Sequence, residues 1–233
     1  GHADFIINGE PEEAFSRLLR GEPLSGIVKS EEPDDLDALP FPRWDLLVPS
    51  RRLRGVPGSV RPLHGGFPLL ASRSCPEFCT YCPHRILSTY RVRSVESIAN
   101  ELQYLCERYP EPYVIFRDPL FSQDRQRILQ LCDEIERRGL RLRFECETRL
   151  DRLDPPLLDR MYAAGLRAMS FGVESLSPAT LKKAGRRPIP PEQQRTIVDH
   201  CRKIGVVTAA FYVLAFAEDT WDSIGAKIGR AHV

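Results

Sequence analysis

The sequence predicts an α/β protein built as a partial (β/α) TIM-type barrel. Three observations lead there. From residue 67 onward, apolar strand-like runs alternate with amphipathic helices, the order that produces a parallel sheet. Gly139, Gly165 and Gly205 stand where those helices should end, and glycine accepts the left-handed conformation that closes a helix. About five such units fit in the chain, whereas a full eightfold barrel takes about 250 residues, so a truncated barrel is expected.

The strands are expected near 68–72, 113–118, 141–150, 168–175 and 206–216, and the helices near 94–109, 124–138, 155–164 and 192–204. Two strands show clear alternation. In 141–150, Leu142, Phe144, Cys146, Thr148 and Leu150 share one face, and Arg143, Glu145, Glu147 and Arg149 share the other. In 168–175, Met169, Phe171 and Val173 oppose Ser170, Gly172 and Glu174. Side chains alternate across a strand, so outer helices should cover the apolar faces while the charged faces line a roomy polar cavity. A half-solvated antiparallel strand would show the same alternation.

Ahead of the core, Phe5-Ile6-Ile7 reads as a short strand and residues 12–20 as an amphipathic helix. One strand and one helix cannot bury their own apolar faces, so residues 1–22 are expected to be the remnant of another α/β domain. Residues 23–66 read as a linker, with several prolines, an acidic run (Glu31, Glu32, Asp34, Asp35, Asp37) and the glycines Gly55, Gly58, Gly65 and Gly66. Within it, Leu39-Pro40-Phe41-Pro42-Arg43-Trp44-Asp45 is apolar enough to dock on a surface, and Arg51, Arg52 and Arg54 read as a solvated loop. The core is expected to span 67–227. Residues 228–233 back-translate as ATCGGAAGAGCACACGTC, which resembles a sequencing-adapter read. They are expected to be adapter-derived.

Composition narrows the function. The chain has 233 residues, 42% hydrophobic and 28% charged, with 33 Lys+Arg against 32 Asp+Glu and a net charge of +1. That balance argues for a globular core and gives no electrostatic case for nucleic acid. No apolar run approaches a membrane span, and the absence of a basic-then-apolar leader makes a cytoplasmic location the expectation. Seven cysteines is an odd count. Without a leader, that points to metal or redox chemistry rather than a disulfide framework.

Three of them form the chemical signal, Cys75-Pro76-Glu77-Phe78-Cys79-Thr80-Tyr81-Cys82. The spacing C-x3-C-x2-C follows the first core strand, and the C-terminal ends of strands are where parallel α/β folds place active sites. Three thiolates on one loop suit three corners of an iron–sulfur cluster, leaving one iron open. A structural zinc held by Cys75, Cys79, Cys82 and His84 is the alternative, although that His spacing is tight. Cys106, Cys132 and Cys201 follow helical apolar spacing and Cys146 lies on an apolar strand face, so these four read as buried small hydrophobes. His64 and His200 have no evident chemical partners.

The C-x3-C-x2-C motif, with Tyr81 before its last cysteine, resembles the radical S-adenosylmethionine (SAM) superfamily. Tyr90-Arg91-Val92-Arg93-Ser94, Phe116-Arg117-Asp118-Pro119-Leu120-Phe121, Thr148-Arg149 and Gly172-Val173-Glu174-Ser175 continue the resemblance in order. Asp4 to Glu12 is similar to the last strand and helix of a cobalamin-binding domain, and Leu39 to Leu46 to the linker of cobalamin-dependent members. The resemblance implies a radical SAM core that holds a [4Fe–4S] cluster on Cys75, Cys79 and Cys82. It implies that SAM chelates the open iron and is cleaved to a 5′-deoxyadenosyl radical, with methyl transfer as the commonest outcome.

It further implies Tyr81 beside the adenine, Glu174 on the ribose hydroxyls, Asp118 near the SAM amine and Arg149 opposite the SAM carboxylate. The implied partners are a small-molecule substrate, an external one-electron reductant such as flavodoxin or ferredoxin, and cobalamin bound mostly outside this chain. A cobalamin-independent methylthiotransferase is a second enzymatic reading, and a zinc-stabilised non-catalytic module a third. One segment departs from the pattern. Val213 to Thr220 falls where relatives have a G-x-P-G-E/D-T turn, yet both glycines and the proline are replaced, so a positive-φ turn there should be strained.

Overall fold

A computed structural model describes residues 3–46 and 66–231. The N-terminal unit comprises β1 (Phe5–Asn8), α1 (Glu12–Leu19) and β2 (Gly26–Lys29), and β1 pairs with β2 in parallel. β2 lies inside the stretch read as a linker; its four residues, Gly-Ile-Val-Lys, are too short to show a period. The core then runs β3 (Phe67–Leu69), β4 (Ser72–Arg73), α2 (His84–Leu87), β5 (Arg91–Val92), α3 (Val95–Arg108), β6 (Tyr113–Phe116), α4 (Arg125–Arg137), β7 (Arg143–Thr148), α5 (Pro155–Ala163), β8 (Leu166–Glu174), α6 (Pro178–Lys183), α7 (Pro191–Ile204), β9 (Val207–Tyr212) and α8 (Trp221–Ala231). Arg51, Arg52, Arg54 and His64 lie outside the described residues.

The main sheet has the order β3-β6-β7-β8-β9, and every neighbouring pair is parallel. This is the expected partial barrel, and the parallel pairing excludes the antiparallel alternative for 141–150 and 168–175. Three of the crossover helices, α3, α4 and α5, begin at a side-chain cap. Ser94 accepts from Ser97 N–H, Asp124 from Arg127 N–H and Asp154 from Leu157 N–H, satisfying donors that the first helical turn leaves free. Gly205 closes α7 at φ 81°.

The core follows from the alternation. Leu142, Phe144, Cys146, Thr148 and Leu150 are all buried, as are Met169 and Phe171. Against them pack Ile98, Leu102 and Leu105 of α3, Ile128 and Leu131 of α4, Leu157, Leu158 and Met161 of α5, and Ile197 of α7. Phe116, Phe121 and Phe144 stack at 4.4–6.2 Å between centroids. Cys132, Cys146 and Cys201 are buried as expected, while Cys106 is only half-buried at the helix edge. The expected docking of Leu39–Asp45 occurs through Trp44. It is buried, its Nε1–H donates to Glu101 at 3.0 Å, and its ring meets Phe67 edge-on at 5.6 Å.

Gly165 precedes β8 at φ 119°, and a Cβ there would lie 2.5 Å from the Leu142 carbonyl oxygen. Gly139 has φ 61° with open space around it. Gly139→Ala should therefore cost about 1 kcal/mol of backbone strain. Gly165→Ala should cost clearly more, because the backbone at Leu142, just ahead of β7, must move. Urea unfolding of the two variants checks this order.

Candidate functional site

The chain leaves β3 through a buried polar knot. The Asp118 carboxylate is 1% exposed and accepts the Ala71 N–H at 3.0 Å and the Ser72 hydroxyl at 2.5 Å. Arg127 donates to the carbonyls of Ala71 (2.8 Å) and Arg93 (2.5 Å). Burial raises the pKa of Asp118, although those hydrogen bonds and the Arg127 charge pull the other way. Asp118 is thus occupied by backbone and does not line the cavity described below. In the structure its carboxylate is engaged by the segment after β3, at Ala71 and Ser72.

Beyond this knot lies the cysteine loop. Ser74 takes φ 64°, and its hydroxyl donates to the carbonyls of His84 and Ser88. The Thr80 N–H donates to the Ala184 carbonyl at 3.0 Å, and Glu77 pairs with Arg152 at 3.0 Å. Gly185 approaches so closely that a Cβ would lie 2.5 Å from the Phe78 carbonyl oxygen. The loop has little secondary structure and is held by its neighbours.

Cys75, Cys79 and Cys82 are half-buried, free thiols that border one cavity of about 180 Å³. Its wall also includes Tyr81, His84, Glu147, Arg149, Ser170, Gly172, Glu174 and Arg186. The polar faces of β7 and β8 therefore do point into a lumen. It is less roomy than the alternation suggested, because Arg186 crosses it. That side chain donates to the Gly172 carbonyl at 2.6 Å and lies 3.8 Å from Cys79 Sγ and 3.9 Å from Glu174.

Burial raises the pKa of the Cys75 thiol, and the nearby Glu77 carboxylate adds to the effect. A bound cation would relieve that penalty. Among the described residues, no three Cys, His, Asp or Glu side chains converge to hold a single ion. A zinc needs donors within about 2.3 Å of one point. Thiols spread around a cavity suit a cluster whose irons are each bound by a different cysteine. The cradle therefore fits an iron–sulfur cluster better than the zinc alternative with His84.

Tyr81 lines the cavity with Glu174 and meets Phe216 edge-on at 5.7 Å. Burial raises its pKa strongly. Arg149 is 3% exposed; Nε and Nη2 engage Asp151 at 2.9 and 3.0 Å, and Nη2 also reaches the Arg187 carbonyl. Its Nη1 has no hydrogen-bond partner and lies 4.0 Å from Glu77. One buried N–H group thus remains available to an anion.

Glu174 stands where the β8–β9 register shifts, at φ 65°. A bulge of this kind re-aims a side chain, here into the cavity. Its carboxylate folds over Gly172, where a Cβ would meet Oε1 at 1.9 Å. Ser74, Glu174 and Ala215 are three of the four described non-glycine residues with positive φ. Ser74 adjoins Cys75, Glu174 lines the cavity, and Ala215 precedes Phe216. Strain concentrated this way marks a functional site. Ala215 is the strained position expected where the glycine-rich turn is missing.

The sequence reading missed Arg186. Arg186 and Arg187 form a basic pair in an irregular loop, and nothing local distinguishes the inward one. His200 pairs with Asp159 at 2.7 Å on the surface, away from the site.

The Radical SAM superfamily profile matches residues 69–224. An uncharacterized methyltransferase of Pyrococcus horikoshii is 26% identical over 246 residues, covering 97% of this chain and 52% of its own length. The chain thus spans about half the length of that curated relative. Among solved structures, the radical SAM methyltransferase TsrM from Kitasatospora setae, with cobalamin and a [4Fe-4S] cluster bound, superposes with a TM-score of 0.65 at 21% identity, covering 71% of this chain and 32% of that one. The cobalamin-dependent radical enzyme OxsB, with aqua-cobalamin and SAM bound, does so at 0.69 and 19% identity, covering 95% of this chain and 35% of that one.

Two predictions follow from the geometry. Asp118→Ala leaves the Ala71 N–H and the Ser72 hydroxyl without their buried acceptor and should cost about 3 kcal/mol in urea unfolding; unchanged stability would contradict a structural role for Asp118. Burial raises the Glu174 pKa against the opposing charge of Arg186. Stability is therefore lost as pH rises from the unfolded carboxylate value through the higher folded value. Glu174→Gln should match the parent Tm below the ordinary carboxylate range and exceed it above that window, measured as Tm against pH.

Proposed function

The chain belongs to the radical SAM superfamily, and on that premise we propose that Cys75, Cys79 and Cys82 carry a [4Fe–4S] cluster that binds and cleaves SAM. The observation that carries this reading is their arrangement. Three free thiols from one loop at the end of the first core strand border the same cavity as Glu174 on the bulged end of β8. When bound, the cluster supplies the electron that cleaves SAM to methionine and the 5′-deoxyadenosyl radical that abstracts hydrogen from substrate.

The chain's own residues do the holding. Glu174 is aimed to accept from ribose hydroxyls, and Arg186, 3.9 Å away, opposes the burial that raises its pKa. Arg149 offers its unengaged Nη1 to the SAM carboxylate, while Asp151 fixes the guanidinium plane. Tyr81, braced by Phe216, presents an aromatic surface to the adenine. Asp118 has no place in this set.

We read the whole protein as a cobalamin-dependent methyltransferase acting on a small molecule, supplied with electrons by a reductant such as flavodoxin or ferredoxin. The support is the methyltransferase name of the Pyrococcus relative and the likeness to OxsB, which extends through the N-terminal unit. None of the described residues is assigned to cobalamin. No described helix is long and apolar enough to cross a membrane.

Anaerobic reconstitution with iron and sulfide, followed by reduction and electron paramagnetic resonance, tests the reading. The protein should show a [4Fe–4S]+ signal that changes on adding SAM and is lost in Cys79→Ala. Uptake of zinc alone, or a cluster indifferent to SAM, would contradict it.

A further inference from the structure

The cysteine loop has a narrow neck. β4 and β5 are its two stems and pair antiparallel through only two positions, Ser72↔Val92 and Arg73↔Arg91. All three loop cysteines lie between these stems. The second pair places two arginines directly opposite each other, two residues before Cys75. Like charges facing across a strand pair repel and oppose pairing.

The opposing charge comes from outside the core. Glu10 follows β1 and is 9% exposed, and its carboxylate receives both Arg73 Nη1 and Arg91 Nη2, one on each oxygen. Glu12 takes the other nitrogen of Arg73. Glu32 accepts the Thr89 N–H at 2.9 Å and lies 3.4 Å from Arg91, and Asp37 accepts the Ser94 N–H at 2.9 Å. Both arginines are largely buried, with side chains 20% and 14% exposed, so solvent alone screens their repulsion poorly.

We propose that Glu10 is a positioning residue for the cysteine loop: by bridging Arg73 and Arg91 it closes the neck, and it thereby couples docking of the N-terminal unit to readiness of the three-thiol site. The role of that site as a cluster cradle rests on the function proposed above; the clamp itself does not. Glu10 touches neither a thiol nor the cavity and acts only through the two arginines. The charge pattern makes a specific demand. If Glu10 mattered merely as a contact, removing Arg91 as well would add to the damage. If it mattered by cancelling repulsion, removing Arg91 would undo it.

The test is the alkylation rate of each cysteine in the metal-free full chain, read by mass spectrometry with iodoacetamide as probe. Glu10→Gln should speed modification of Cys75, Cys79 and Cys82 by about tenfold, the scale set by breaking a largely buried pair after allowing for its partial exposure. Cys132, Cys146 and Cys201, buried in the core, should stay protected. Glu13→Gln, which loses only an exposed pairing with Arg17 at 3.7 Å, should change nothing. Glu10→Gln with Arg91→Gln should bring the loop rates back to within about twofold of the parent.

Unchanged loop rates in Glu10→Gln would overturn the clamp. So would simultaneous exposure of the core cysteines, which would reduce Glu10 to a general stabiliser, and so would a double variant worse than either single. A parent chain that never takes up a cluster would instead defeat the functional reading, while the alkylation pattern would still decide the clamp.

Discussion

The Asp118 carboxylate, buried at the end of β6, fixes the point at which the chain leaves β3, and the rest of the site is built outward from it. By taking the Ala71 N–H and the Ser72 hydroxyl it sets where β4 begins. Arg127 ties Ala71 to Arg93, the residue after β5, so both stems of the cysteine loop are anchored to one knot. An ionised carboxylate at that depth is costly unless fully hydrogen-bonded. Burial raises its pKa, while the hydrogen bonds from Ser72 and Ala71 and the Arg127 charge oppose the rise. The fold carries this penalty where it defines the geometry of an otherwise irregular loop.

Around that knot the molecule repeatedly buries charge in pairs. Arg149 rests on Asp151, Arg186 sits near Glu174, and Lys227 bridges both oxygens of Asp219 at 2.6–2.7 Å and the Val213 carbonyl at 3.1 Å. The last pair spans the segment where the glycine-rich turn is missing. It closes the loop after β9 around Ala215 at φ 65° and holds Phe216 against Tyr81. Such pairs are weak sources of stability, because desolvation offsets much of the attraction. Their value here is directional: Arg149, Arg186 and Glu174, members of the first two pairs, line the cavity.

Much of this was legible in the sequence, for identifiable reasons. The parallel sheet followed from strand–helix alternation, and the inward faces of β7 and β8 from period-two patterning, because both are repeated local signals. The three thiols were legible as a set because their spacing is short and specific. Other features were not. Glu174 could be placed on a strand face, but the bulge that aims it depends on β9. Arg186 is one of two adjacent arginines, and only packing on Gly172 selects it. Asp118 enters as a ligand contact only through the family resemblance, and its hydrogen bonds to Ala71 and Ser72 are tertiary contacts that no local pattern shows. The facing of Arg73 and Arg91 is a register property, and a two-residue strand pair leaves no trace in composition.

Three thiols from one loop border a single cavity, and the proposed function makes it the seat of a cluster with one open iron. An anaerobic crystal structure of the reconstituted protein, phased with anomalous scattering at the iron edge, tests it most directly. The account predicts a four-iron cluster in the cavity between β3 and β8, with Cys75, Cys79 and Cys82 each on a different iron and the fourth iron free of protein ligands. A single metal ion shared by these cysteines and His84, or iron bound elsewhere, would contradict it.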